Sequence, residues 1–153
     1  MIQFQEGRVD EGDGERLEAA MRVEVAELYP GLDLRGADMP KAGPEQLNAP
    51  NGSFLVGYED GLAICCGGLK RLDVEACELK RMYVIPEARG RGLARVLLAA
   101  LEDRARELGY VIARLDTGPR QRGAQHLYES AGYASIANFN GNPVATFFGE
   151  KHL

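Results

Sequence analysis

The feature that most constrains the fold is a strand followed by a helix, joined by a basic, glycine-rich turn, within residues 79–101. An apolar and β-branched run predicts a strand that ends at Ile85, where Pro86 closes it. After Gly92 the apolar residues recur at helical spacing, at Leu93, Val96, Leu97, Ala100 and Leu101. The turn between them therefore precedes the N-terminus of a helix.

This turn has the properties of an anion site. The first backbone N–H groups of a helix have no intrahelical partner, and the helix dipole adds positive charge there. Gly90 and Gly92 let the backbone approach an anion closely, and Arg89 and Arg91 can add charge-assisted hydrogen bonds. A phosphate or pyrophosphate fits this arrangement.

Three kinds of phosphate loop compete for this turn. It contains no Gly-Lys-Ser/Thr, and its glycines lack the spacing of the dinucleotide-binding fingerprint. The motif Arg89-Gly90-Arg91-Gly92-Leu93-Ala94 instead resembles the Arg/Gln-x-x-Gly-x-Gly/Ala pyrophosphate loop of the GNAT superfamily of N-acetyltransferases. The chain is therefore identified by resemblance as a GNAT-like protein.

A second motif supports this resemblance. Residues 121–133 are similar to the family pattern Asn-x-x-Ala-x-x-Leu-Tyr followed by Gly-Phe, with Gln121 in place of the asparagine and Tyr128 as the tyrosine. The two linked motifs occur in the family's order. The resemblance is strong over residues 76–135 and extends to the rest in outline.

The hydrophobic pattern predicts an α/β fold in one domain, residues 1–153. Strands are expected at residues 2–9, 53–58, 62–69, 76–85 and 110–116, with a terminal hairpin at 133–139 and 144–150. Helices are expected at 15–29, 92–108 and 121–131, and a short one at 44–47 within a long irregular connection, 32–52. The resemblance implies the GNAT-like acyl-CoA N-acyltransferase fold, a mixed six- to seven-stranded sheet with helices on both faces.

Three finer expectations concern side chains. Gly67 and Gly68 indicate a bulge or a close backbone approach in their strand. Period-two alternation predicts that Glu78 shares a strand face with Met82 and Val84. On the central helix, Glu102 and Arg106 are spaced for a favourable ion pair.

Composition limits the kinds of partner and cofactor that the sequence predicts. The formal net charge of −5 argues mildly against nucleic acid and is compatible with a cationic or amine substrate. The three cysteines include an adjacent pair and form no Cys-x-x-Cys motif, and neither histidine has a ligand partner by spacing, so we expect no disulfide and no metal. With no signal-peptide pattern and no apolar run of membrane-spanning length, a cytoplasmic protein without a membrane partner is expected.

The resemblance also implies acetyl-CoA as co-substrate. Its pantetheine arm would pair with the backbone of Met82, Tyr83 and Val84, in the strand before the turn, and Gln121 would contact the cofactor. The pyrophosphate would bind the turn and the first residues of the helix, which are Arg89, Gly90, Arg91, Gly92, Leu93, Ala94 and Arg95.

Acetyl transfer to an amine needs a deprotonated amine, a stabilised oxyanion and a proton for the departing thiolate. A free alkyl ammonium has a pKa of about 10, so a base is useful at neutral pH. Glu78 and Asp116 are the two candidate bases, and the residues alone rank neither. Backbone N–H groups near Val84 are the oxyanion candidates, and the resemblance implies that Tyr128 protonates the sulfur.

Several functions remain open at this stage. The leading hypothesis is an N-acetyltransferase in which a primary amine attacks acetyl-CoA directly. The others are a non-catalytic acyl-CoA-binding or sensing module, and a CoA or nucleotide binder that shares only the phosphate site. The acceptor remains open between free amino acid, polyamine, aminoglycoside-like molecule, and peptide or protein amine; Glu24, Glu27 and Asp38 are candidates to attract a cationic one. A homodimer is an expectation from the family alone.

Overall fold

The computed structural model describes residues 1–153 and contains one seven-stranded sheet. Its strands are β1 (Gln3–Glu6), β2 (Gly52–Glu59), β3 (Leu62–Arg71), β4 (Ala76–Val84), β5 (Ile112–Thr117), β6 (Ala134–Ser135) and β7 (Phe147–His152). The helices are α1 (Gly12–Leu28), α2 (Pro44–Leu47), α3 (Leu93–Glu107) and α4 (Ala124–Ser130). The strand order is β1-β2-β3-β4-β5-β7-β6, which confirms the predicted mixed sheet.

Helices cover both faces of the sheet, because alternate strand residues are apolar on each side. On one face, α3 packs Leu97, Leu98 and Leu101 against residues such as Leu55 of β2. On the other face, α1 and α2 pack against the neighbouring strand residue, Phe54. The two-sided arrangement expected from the sequence is confirmed.

The sheet opens between its two parallel strands. β4 and β5 pair only from Ala76 to Glu78 on β4, while all other neighbouring strands are antiparallel. Since β4 continues to Val84, its edge toward β5 has no strand partner beyond Glu78. Backbone groups along that edge pair with no other strand and are available to a ligand, except the Val84 C=O, which accepts a hydrogen bond from Nε of Arg89 at 2.9 Å.

A bulge in β4 lies beside this opening. Cys66 of β3 opposes Tyr83, and Gly68 opposes Lys80, so two residues of β4, Arg81 and Met82, face the single residue between them. Arg81 has φ of 59°, which is unusual for a residue with a side chain. The irregularity predicted from the paired glycines is confirmed.

The bulge reverses the alternation of β4 between its two ends. Tyr83 packs with the cluster on the α1 face, whereas Met82 and Val84 pack with the cluster on the α3 face. Glu78 pairs with Lys70 and lies on the same face as Lys80, opposite to Met82. The prediction that Glu78 shares a face with Met82 and Val84 is therefore wrong, because the extra residue shifts the phase.

Gly67, which opposes the bulge, is expected to tolerate no side chain. A Cβ there would lie 2.8 Å from Cδ1 of Leu101 and 3.3 Å from Cγ of Met82. We expect Gly67→Ala to lower the free energy of unfolding by about 1–3 kcal/mol, measured by urea denaturation. Gly43→Ala is the control for adding a methyl group without a clash, since its Cβ would lie 3.5 Å from Oε1 of Gln46; Gly43 is the N-cap of α2, so a smaller loss of stability is expected there as well. Equal stability of the two variants would contradict this account.

The remaining differences from the sequence predictions are local. Helix α4 begins at Ala124 rather than at residue 121, because Gly123 precedes it in the left-handed conformation. The predicted pair of Glu102 with Arg106 is wrong: Arg106 pairs with Asp103, and Glu102 pairs with Lys151. The terminal hairpin differs from the one expected at 133–139 and 144–150: β6 is only Ala134–Ser135, and β7 is Phe147–His152. No helix has the length and apolar character required to cross a membrane.

Candidate active site

A cavity of about 540 Å³ opens where β4 and β5 separate. One wall comes from α1 and the long connection after it, and another from the segment that precedes β7. The third combines the glycine-rich turn with the region from β5 to α4. Lining residues include Met21, Tyr29, Leu32, Leu34, Met39, Lys80, Met82, Tyr83, Val84, Leu93, Asp116, Gln121, Tyr128, Asn142 and Val144. The site residues predicted from two separate motifs therefore meet in one cavity, with the exception of Arg91 and Glu78.

The turn before α3 presents a row of free backbone donors. From Gly90 through Arg95, no backbone N–H group donates a hydrogen bond to any atom of the chain. Gly90 and Gly92 have φ of 80° and 77°, conformations that glycine adopts without strain. Donors converging at a helix N-terminus form a site for a phosphate group.

The arginines of the turn differ in their surroundings. Arg89 lines the cavity, donates to Oε2 of Glu24 at 2.7 Å and stacks over the Tyr83 ring at 5.5 Å. Arg91 is absent from the cavity wall and forms two hydrogen bonds to Glu59, at 3.0 and 2.6 Å. Arg95 lines the cavity and donates to Oγ of Ser130. Two of the three predicted phosphate-binding arginines are therefore on the cavity wall.

Tyr128 faces β4 across the cavity. Its hydroxyl lies 3.8 Å from Sδ of Met82, a weak acceptor, and forms no other hydrogen bond in the chain. Loss of solvent around the hydroxyl, with the nearby negative charge of Asp116, raises the pKa of Tyr128 to about 12. The side chain is therefore a protonated donor at physiological pH.

The two candidate bases are joined through one asparagine. Nδ2 of Asn140 donates to Oε2 of Glu78 at 2.8 Å and to Oδ2 of Asp116 at 2.7 Å. Nδ2 of Asn142 donates to the same oxygen of Asp116 at 3.0 Å. The segment before β7, which the sequence indicated only as a turn, thus orients both carboxylates.

The carboxylates of Asp116 and Glu78 differ in whether the cavity can reach them. Asp116 lines the cavity, and its Oδ1 accepts no hydrogen bond from the chain. Glu78 is fully buried, is absent from the cavity wall, and has Nζ of Lys80 3.1 Å from its Oε2. The structure therefore favours Asp116 over Glu78 for direct contact with a substrate.

Gln121 holds the loop between β5 and α4 in place. Its Oε1 accepts hydrogen bonds from the Gly118 N–H at 2.8 Å and from the Tyr29 hydroxyl at 3.1 Å. The Tyr29 oxygen also accepts from the Arg120 N–H at 2.9 Å. Gln121 lines the cavity, as predicted for a cofactor-binding residue, but its carbonyl is occupied in fixing the loop to α1.

Sequence reasoning missed four polar residues of the site, which are Lys80, Arg81, Asn140 and Asn142. The run Glu78, Lys80 and Arg81 in a strand that is otherwise apolar was the available signal, since charged side chains are rarely buried without a partner. The two asparagines carried no such signal. They lie in a polar loop, where asparagine is common for conformational reasons.

Comparison with known proteins agrees with this geometry. The chain is 34% identical over 133 residues to a protein named IAA acetyltransferase from Azospirillum brasilense, covering 84% of this chain and 83% of that protein. It is 28% identical to a Klebsiella pneumoniae structure assigned as an acyl-CoA N-acyltransferase, with a TM-score of 0.77 and coverage of 100% and 98%. An Elizabethkingia anophelis GNAT acetyltransferase, solved with acetyl-CoA bound, shares the fold at 16% identity, a TM-score of 0.70 and coverage of 99% and 98%.

The open sheet, the donor-rich turn and these likenesses define the class as the acyl-CoA N-acyltransferases. Residues 20–133 match the model of the Acetyltransferase (GNAT) family. The chain belongs to this family of acetyltransferases, as its two motifs predicted.

Proposed function

We propose that this chain is an acetyl-CoA-dependent N-acetyltransferase in which a primary amine attacks the thioester directly. The observation that carries the proposal is the row of unpartnered N–H groups from Gly90 through Arg95, placed at the edge of the same cavity as Tyr128. The Elizabethkingia protein of the same fold holds acetyl-CoA, which supports this co-substrate.

In this proposal each part of the cavity has one task. The turn binds the pyrophosphate, and Arg89 and Arg95 add charge to it. The free edge of β4 at Met82, Tyr83 and Val84 pairs with the pantetheine amides, and backbone N–H groups near Val84 stabilise the oxyanion. Tyr128 then gives its proton to the departing thiolate.

The amine must lose a proton before it attacks. Asp116 is the proposed acceptor of that proton, directly or through water, because it lines the cavity and its Oδ1 takes no hydrogen bond from the chain. Asn140 links Asp116 to Glu78, so Glu78 acts on the base through the asparagine rather than on the substrate.

The cofactor is tested by calorimetric titration of acetyl-CoA into the wild type and the double variant Arg89→Ala, Arg95→Ala, which removes the two arginines of the turn that line the cavity. We expect the variant to bind about tenfold or more weakly, which corresponds to roughly 1.4 kcal/mol. Arg106→Ala is the control, since Arg106 pairs with Asp103 on the exposed face of α3. Wild type that prefers nucleoside triphosphates to acetyl-CoA would refute the proposal.

Turnover is tested separately, by following thiol release with a panel of amines. Tight acetyl-CoA binding with no acetylation of any amine in the panel would favour a non-catalytic acyl-CoA sensor instead.

A further inference from the structure

The side chain of Arg81 is enclosed by the protein and yet donates no hydrogen bond to it. Its side chain is 7% exposed, and Nε is a buried donor without a partner. A guanidinium carries five N–H donors, and a buried donor that has no acceptor costs free energy. Burial also lowers the pKa of Arg81 from its usual value. An acceptor from outside the chain would meet this need.

The charge around Arg81 is positive. Oε1 of Glu18 lies 3.7 Å from Nε of Arg81, too far for a strong hydrogen bond. Glu18 already accepts two hydrogen bonds from Nε of Arg22, at 3.0 and 2.9 Å, and lies 3.7 Å from Nη2 of Arg35. Three guanidinium groups therefore share this carboxylate, and the negative charge of Asp116, which also acts on Arg81, does not offset the other two, so a net positive charge remains for an anion to balance.

Arg81 lies next to the proposed reaction centre. It lines the main cavity and also a neighbouring polar cavity of about 720 Å³, whose wall includes Arg22 and Arg35. The next residue along β4 is Met82, whose sulfur is close to the Tyr128 hydroxyl. The left-handed φ of Arg81 costs backbone energy, and the bulge that imposes it also redirects the side chains of β4. No residue of the phosphate-binding turn lines the polar cavity.

We propose that Arg81 binds a carboxylate of the acceptor, so that the substrate is an amino acid or a small amine that carries a carboxylate. The proposal rests on the acetyltransferase function proposed above. The planar guanidinium fork matches a carboxylate, and Asp116, across the same cavity, suits the substrate's ammonium group.

The structure gives less support to a cationic acceptor. Among the acidic residues considered for attracting one, Glu24 lines the cavity but is paired with Arg89 at 2.7 Å. Glu27 and Asp38 are absent from the cavity wall. The net charge of the whole chain is negative, but the charge around Arg81, where the acceptor is proposed to bind, is positive.

The first test uses the wild-type enzyme and matched acceptors. Leucine is compared with 3-methylbutylamine, and phenylalanine with 2-phenylethylamine, so that each pair differs only in the carboxylate. We expect kcat/KM to be about tenfold or more higher for the amino acid, because it supplies the charged hydrogen-bond acceptor that Arg81 lacks. The aminophosphonate analogue of leucine distinguishes a carboxylate site from a phosphate site.

The second test changes the arginine. Arg81→Gln is expected to raise KM for the amino acid about tenfold or more, with the Kd of acetyl-CoA unchanged and no loss on the decarboxylated amine. Arg81→Lys should restore part of the affinity, since it keeps the charge without the fork. Arg106→Gln serves as the control for removal of an exposed arginine.

The outcomes separate the two proposals. Turnover of amines with no preference for the carboxylate, or a preference for polyamines, would overturn the acceptor assignment and leave the acetyltransferase intact. A preference for the phosphonate would overturn the proposal that Arg81 binds a carboxylate. Failure of every amine, with or without a carboxylate, would overturn both. The wild-type comparison decides even where an Arg81 variant does not fold.

Discussion

Tyr128→Phe is expected to lower kcat by about 100-fold or more while the Kd of acetyl-CoA stays unchanged. The substitution removes only the hydroxyl, whose one contact within the chain is Sδ of Met82 at 3.8 Å. Since that contact is weak, the variant should fold as the wild type does. What it loses is the proton for the departing thiolate.

The pKa of Tyr128 makes this prediction specific in its pH dependence. At about 12, the pKa of Tyr128 lies well above the roughly 8.5 of a thiol, so the hydroxyl stays protonated across the working pH range, and transfer of its proton to a separated thiolate is uphill. The hydroxyl therefore donates a hydrogen bond to the sulfur as negative charge develops there, and the proton passes along that bond as the thiol departs. The donor is lost only as pH rises toward the raised pKa. The wild-type kcat should therefore show no alkaline decline from Tyr128 between about pH 8 and 10.

Thiol release with a saturating amine, measured across this pH range, checks the prediction. Tyr110→Phe is the control, because Tyr110 is buried and lies outside the cavity wall. An unchanged kcat in Tyr128→Phe would remove Tyr128 from the mechanism. An alkaline decline near pH 10 that disappears in the variant would show that the hydroxyl titrates without the expected shift.

The parts of the site that the sequence predicted are those encoded locally. Periodicity predicted the helix after Gly92, and Gly90 and Gly92 with the flanking arginines predicted the turn, because both depend on residues within one or two helical turns. Tyr128 was found from its spacing within a motif. In each case the informative residues lie close together in the chain.

The parts that the sequence did not predict depend on distant residues or on backbone phase. Asn140 reaches Glu78 across 62 positions, and no local pattern records that contact. The glycines at 67 and 68 indicated an irregularity, but the extra residue lies in the opposite strand, at Arg81 and Met82. One inserted residue placed Glu78 on the face opposite to Met82, which changes the residue favoured as base.

Glu102 shows the same limitation in the core. Its spacing from Arg106 predicted a favourable ion pair along the helix, but the residue is only 5% exposed and its partners lie outside α3. Its carboxylate accepts from Nζ of Lys151 at 3.0 and 3.1 Å and from the Tyr133 hydroxyl at 2.8 Å. The buried pair thus joins α3 to β7 and to Tyr133, which lies between α4 and β6.

Glu102→Ala is expected to lower the free energy of unfolding by about 3 kcal/mol, because it leaves the ammonium of Lys151 and the hydroxyl of Tyr133 without their acceptor. Urea denaturation measures the loss, and Asp103→Ala is the control, since Asp103 is an exposed neighbour paired only with Arg106. Surface pairs of that kind contribute less than about 1 kcal/mol.

Two further variants identify which bond matters. Glu102→Gln keeps an acceptor for Tyr133 but removes the charge opposite Lys151, so it should destabilise the protein less than alanine does. Adding Lys151→Met to Glu102→Ala should recover part of the lost stability, because the unpaired cation is then gone. Full additivity of the two substitutions would show that the pair contributes no coupling, and the join between α3 and β7 would then depend on apolar packing alone.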